Sequence, residues 1–193
     1  MRIFVAGATG VIGVRLVPLL LARAHRVAGM TRSPRKADEL RALGAEPVVC
    51  DVFDAAALEQ AVASFRPDAV LDELTDLPDD AGSISAFRQA NARVRREGTP
   101  NLLAAANTAG ARRFLAQSVA WQLIGDAGAA VEEMEQWVLD AGGVVLRCGQ
   151  FYGPGTYYEQ EPPPPPRVHV DEAARRTVDA LAAPSGIIEI VEE

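Results

Sequence analysis

The residues best placed to do chemistry in this 193-residue chain stand where apolar runs stop. Gly7-Ala8-Thr9-Gly10-Val11-Ile12-Gly13 follows the apolar run 3–6 and precedes a helical pattern over 11–23. Glycines so spaced let the chain turn tightly and bring backbone amides against a pyrophosphate at a helix N-terminus. Gly7, Thr9, Gly10, Val11, Ile12 and Gly13 are therefore candidate dinucleotide-binding residues, and the strand–loop–helix setting is what makes the string specific. The second run, 26–30, ends in Thr31-Arg32-Ser33, with no acidic residue before Asp38. An acid there would take the ribose 2′-hydroxyl of NAD, whereas an arginine accommodates a 2′-phosphate. Arg32, with Ser33 beside it, points to NADP(H), with NAD the alternative.

Asp72 and Glu73 are a second signal, two carboxylates closing the apolar run 69–74. Burial there would raise a carboxyl pKa towards the working range of an acid or base. The bland alternative is a strand that has already reached solvent. Cys50 and Cys148 are too few for a disulfide framework, and Cys148 reads as a small apolar residue. No HExxH or CxxC occurs, so no metal is expected.

The elements that must hold these residues alternate. Apolar runs at 3–6, 26–30, 46–50, 69–74, 113–118, 144–148 and 187–191 are separated by helical patterns at 11–23, 34–43, 54–64, 84–108, 131–141 and 170–182. That order predicts an α/β domain with a doubly wound parallel sheet, a single compact Rossmann unit over 1–193. Ser33 and Asp54 are predicted N-caps, and Pro100 is predicted to bend the long helix because it lacks an amide hydrogen. A net charge of −7 argues against nucleic acid or an anionic membrane surface as partner. No apolar run approaches the ~20 residues of a membrane span, and with no leader pattern a cytoplasmic location is expected.

On these residues the chain resembles the short-chain dehydrogenase/reductase superfamily, in its extended or atypical NAD(P)-dependent epimerase/dehydratase branch. The likeness runs through Asp51-Val52, Asn91, Gly98-Thr99, Asn101-Leu102-Leu103, Arg113-Phe114-Leu115, Ser118, Phe151-Tyr152-Gly153-Pro154-Gly155 and Val168-His169-Val170-Asp171. It implies that Asp51 and Val52 lie near adenine and that Leu74 and Thr75 line the ribose-nicotinamide side. It also implies a catalytic hydroxyl at Ser118, a loop over the nicotinamide with Tyr152 as an alternative acid, and a docking role for His169.

Two departures matter. The Tyr and Lys that such enzymes carry four residues apart on the helix after strand five are missing. Their places fall at Ala127 and Val131, the only lysine is Lys36, and Tyr152, Tyr157 and Tyr158 all come after strand six. A short irregular segment, 149–169, with prolines at 162–166, also stands where relatives build most of a substrate domain. The expected function is an atypical oxidoreductase that uses NADP(H) to reduce a small carbonyl or conjugated substrate. The alternatives are a non-catalytic NADP(H)-binding sensor and a non-redox isomerase, dehydratase or cyclase. A homodimer through the small-residue face of the long helix is left open.

Overall fold

The computed structural model describes residues 1–78 and 80–192. In chain order the strands are β1 (Arg2–Ala6), β2 (Arg26–Thr31), β3 (Glu46–Val49), β4 (Ala69–Asp72), β5 (Arg113–Val119), β6 (Val144–Cys148), β7 (Gln150–Tyr152), β8 (Arg167–His169) and β9 (Gly186–Ile190). The helices are α1 (Gly13–Ala22), α2 (Pro34–Leu43), α3 (Ala55–Phe65), α4 (Ile84–Arg93), α5 (Thr99–Thr108), α6 (Gly125–Asp140) and α7 (Val170–Asp179).

Seven strands form one sheet in the order β3-β2-β1-β4-β5-β6-β9, all pairs parallel. Strand residues alternate between two cores because successive side chains leave opposite faces. Ile3, Val5, Leu71, Leu115 and Leu146 pack with Leu16 and Leu20 of α1 and Ala174 of α7. Phe4, Val70, Ala116 and Val145 pack with Leu58 of α3, Leu102 of α5 and Val138 of α6. The chain reverses direction across the sheet between β1 and β4, and in such sheets ligands bind outside the strand C-termini at that switch.

Ser33 and Asp54 cap their helices as expected, accepting from the amides of Lys36 and Ala57. Three elements depart from the sequence reading. The long helix is interrupted by a π-helical turn, Val94–Gly98, just ahead of Pro100. Pro100 has no N–H for the carbonyl four residues back, and widening the preceding turn accommodates the missing bond. Helix α6 begins six residues before 131. Its Gly-Ala-rich first turns carry little apolar periodicity, yet Gly128 packs so tightly that a Cβ there would lie 2.3 Å from the Leu123 carbonyl oxygen. The segment 149–169 is not irregular throughout, since its ends pair as β7 and β8 in a separate parallel ribbon.

Candidate active site

The loop after β1 is held by backbone alone. Gly7 has φ +82°, and a Cβ on it would meet the Glu73 carbonyl oxygen at 2.6 Å. Gly13 presses against the same loop, a Cβ there falling 2.3 Å from the Gly7 carbonyl oxygen. The Gly10 amide donates to that oxygen at 3.0 Å and the Ala8 amide to Met30 at 3.2 Å. Gly10 is different, because its imagined Cβ meets only the Gly7 oxygen, at 3.3 Å. That single contact is far milder than those at Gly7 and Gly13, and the missing side chain leaves the outer side of the loop open to an approaching group.

Helix α1 starts with no side-chain cap at Ile12 and no acidic residue in its first turn. The Val14 and Arg15 amides already donate to Gly10 and Ile12, and the backbone just ahead of them stands at the positive end of the helix dipole, which suits an anion. A glycine cradle below an uncapped helix start fits the diphosphate of a dinucleotide. Within the loop Val11 is exposed and Ile12 is buried in the core.

The neighbouring strand ends complete this half. Thr9 and Thr31 share a hydroxyl contact of 3.1 Å, and the Ser33 amide donates to Thr31 Oγ1 at 3.2 Å. Arg32 is largely exposed and pairs with Asp76 at 3.2 Å, so its guanidinium stands over the gap between the β2 and β4 ends. Ser33 is occupied as the α2 cap. Asp51 accepts from the Phe53 amide at 3.0 Å, while Val52 is buried and its carbonyl accepts from Asn101 at 3.0 Å. Leu74 is half-buried, Thr75 is exposed, and Asn91 holds the loop they start by accepting the Asp76 amide at 3.1 Å.

Both carboxylates at the end of β4 are buried, on opposite faces of the sheet's edge. Asp72 accepts from Thr99 Oγ1 at 2.7 Å and from the Leu74 amide at 3.2 Å. Burial raises its pKa, partly offset by those bonds and by the charge of Arg95. Glu73 donates its amide to Ala6, but neither carboxyl oxygen has a partner among the described residues. Burial, then the Asp72 charge, pushes its pKa well above the usual carboxylate range. The solvated-strand-end alternative does not describe these residues. Cys148 faces Glu73, and burial raises its thiol pKa as well.

The β5–β6 end is built from side chains. Ser118 is buried, and its hydroxyl donates to Glu135 on α6 at 2.5 Å. Glu135 is clamped by Arg147 of β6 at 2.6 and 3.1 Å. The expected tyrosine and lysine positions, Ala127 and Val131, lie on α6, and Glu135 is one turn beyond Val131. Tyr152, on β7, donates to Glu192 at 2.5 Å and packs edge-on against His169. That bond raises the tyrosine pKa and lowers that of Glu192. His169 caps α7, and Gly153 lies so close that a Cβ would come within 2.5 Å of its Nε2. Tyr157 and Tyr158 line a cleft with Asp80, Ala81 and Thr156.

Glu135, Arg147 and Arg95 were not among the residues singled out from the sequence. Arg95 sits on the π-helical turn and is 8% exposed. A charged residue inside an otherwise ordinary helical stretch gives no local sign of burial, and only the helix break ahead of Pro100 hinted that this turn is special.

A cradle for a diphosphate at the switch of a doubly wound parallel sheet defines a Rossmann dinucleotide-binding domain. The sequence profile of the NAD(P)H-binding family matches residues 7–140, and the chain belongs to that family. It is 41% identical over 188 residues to a 3-diazoavenalumate denitrifying reductase from a Streptomyces species, covering 83% of this chain and 60% of the relative. It is 33% identical over 118 residues to a 3-beta-hydroxysteroid dehydrogenase of Mycolicibacterium neoaurum, covering 59% of this chain and 31% of that one. The chain thus spans well under two thirds of the length of these relatives. Its fold is that of the extended short-chain dehydrogenase/reductases. The Thermus thermophilus UDP-glucose 4-epimerase solved with NAD superposes with a TM-score of 0.81 at 20% identity, over 99% of this chain and 78% of that one. Among the described residues no helix is long and apolar enough to cross a membrane.

Proposed function

We propose that the protein is an atypical NADP(H)-dependent reductase acting on a small carbonyl or conjugated substrate. One observation carries the reading: an uncapped α1 start over the Gly7–Gly13 cradle, with Arg32 and no acid at the end of β2. The name of the 41% identical relative, a reductase, supports the reaction class. The bound dinucleotide supplies the hydride.

The chain's own residues divide the remaining work. Gly7, Thr9, Gly10, Val11, Ile12 and Gly13 hold the diphosphate through the loop and helix start. Arg32 takes the 2′-phosphate by exchanging Asp76 for a doubly charged partner, with Ser33 fixing the turn beside it. Asp51 and Val52 border the adenine, and Leu74 and Thr75 the ribose nearer the nicotinamide. Ser118, polarised by Glu135, is assigned to the substrate oxygen. Like Tyr152, whose hydroxyl donates to Glu192, Ser118 must turn its proton from its glutamate to reach the substrate, while Asp72 is satisfied by Thr99 and Leu74. Glu73 is the remaining reserve of a proton close to the loop.

Calorimetric titration of the protein with NADPH, NADH and their oxidised forms tests the reading. Binding of NADPH about tenfold or more tighter than NADH is expected from one bidentate phosphate contact. Absence of binding by all four nucleotides would overturn it. A second reading, a binding protein without turnover, draws on the engagement of Ser118 and Tyr152 by Glu135 and Glu192. NADPH binding with no oxidation across a panel of ketones and enones would favour it.

A further inference from the structure

We propose that Arg95 is the anion-binding residue of the substrate site and that the molecule it receives carries a carboxylate. The residue lies on the π-helical turn Val94–Gly98, between α4 and α5, and is 8% exposed. The carboxylates that act on it are Asp72, at the end of β4, and Glu135, which holds Ser118 at the end of β5. Thr99, four residues further along the same helical stretch, donates to Asp72 at 2.7 Å, which brings this stretch to the C-terminal end of β4, where such sheets receive their ligands.

Both carboxylates are engaged elsewhere. Asp72 takes its bonds from Thr99 and Leu74, and Glu135 from Ser118 and Arg147. Among the described residues Arg95 makes no hydrogen bond and no ion pair, and none of its nitrogens is fully enclosed, so the residue is 8% exposed with its N–H donors open towards solvent. Donors that no protein acceptor takes are free for water or for an incoming anion. The turn is not loose. The adjoining Arg96 ties it to α6 through Asp126 at 2.6 Å and Glu133 at 2.8 Å. Gly98, at its other end, abuts Val52 so closely that a Cβ would lie 3.0 Å from Val52 Cγ1. The backbone that carries Arg95 is thus fixed before anything binds, which lowers the ordering cost of recognition.

The surroundings narrow the anion. With Asp72 and Glu135 already acting on the guanidinium, a singly charged group is tolerated better than a dianionic phosphate. A carboxylate also matches the planar fork with two parallel bonds. Calling the bound molecule a substrate rests on the reductase reading; the anion site itself does not.

Benzoate and its neutral isostere benzamide are the probes, titrated by calorimetry into the full chain with and without NADPH. Benzoate is expected to bind in the roughly millimolar range, and benzamide about tenfold or more weaker. Arg95→Gln should abolish that preference, while Arg95→Lys should keep part of it by retaining charge without the fork. Arg112→Gln, at the opposite end of the sheet, should behave as wild type. Equal affinity for the two probes, no benzoate binding, or an undiminished preference in folded Arg95→Gln would each overturn the proposal. If neither Arg95 variant folds, the wild-type comparison of the two probes still decides. Benzoate preference without NADPH binding would sink the reductase reading and leave the anion site standing; the reverse result would do the opposite.

Discussion

The two ends of the site are built on different terms. Around Gly7, Gly10 and Gly13 the protein presents backbone, with an uncapped helix start open to an incoming anion. Around Ser118 and Tyr152 it presents side chains that have already found one another, in the Ser118–Glu135–Arg147 and Tyr152–Glu192–Arg167 groupings. The first end is stitched mainly by its own backbone and leaves its outer side open. The second is filled by its own fixed charges. What remains unspent there, Arg95 and Glu73, is where chemistry at that end has to be sought.

The sharpest way to break this contrast is Glu135→Ala. It strands Ser118 and the half-exposed Arg147, and we expect a loss of about 2–3 kcal/mol in urea unfolding, below the value for a fully buried pair. An unchanged midpoint would mean that the cluster is not structural. At the other end, Gly10→Val should cost no more than about 1 kcal/mol of stability, since the one close neighbour of its Cβ is the Gly7 carbonyl oxygen at 3.3 Å. NADPH affinity should nevertheless fall by about a hundredfold, close to 2.7 kcal/mol; unfolding of this variant would erase the distinction between the two ends.

Arg32→Ala should weaken NADPH about tenfold more than NADH, and equal losses in calorimetry would remove the preference for the phosphorylated cofactor. The smallest effect concerns Glu73. Its folded pKa is raised, so its contribution to stability is fully present below the ordinary carboxylate pKa and is lost as pH rises through the folded value. Glu73→Gln should therefore match wild type near pH 4 and exceed it in alkaline buffer by about 1–2 kcal/mol. Parallel pH profiles in thermal melts would show that the carboxyl is not held neutral.

Much of the first end was legible in the chain before folding. The glycine spacing, the apolar run before it, the missing acid after β2 and the caps Ser33 and Asp54 all act within a few residues of themselves. Short-range rules of backbone conformation are sufficient there. The start of α6 was not legible in the same way, because Gly125 and Gly128 are poor helix formers; Gly125 supplies a φ of +62° and Gly128 packs against the Leu123 carbonyl. Nor was the pairing of β7 with β8 across the proline segment.

The sequence by itself determined the class of domain, the strands of its sheet and the tight glycine loop after β1, since periodicity and glycine geometry are local properties. Only the tertiary structure decided that Ser118 meets a glutamate 17 positions away, that Glu73 has no partner and that Arg95 is buried with its donors free. Those outcomes depend on which strand ends lie side by side and on how much water the packed helices exclude. Charge and hydrogen-bonding energies change severalfold with exactly that exclusion, and no run of neighbouring residues records it.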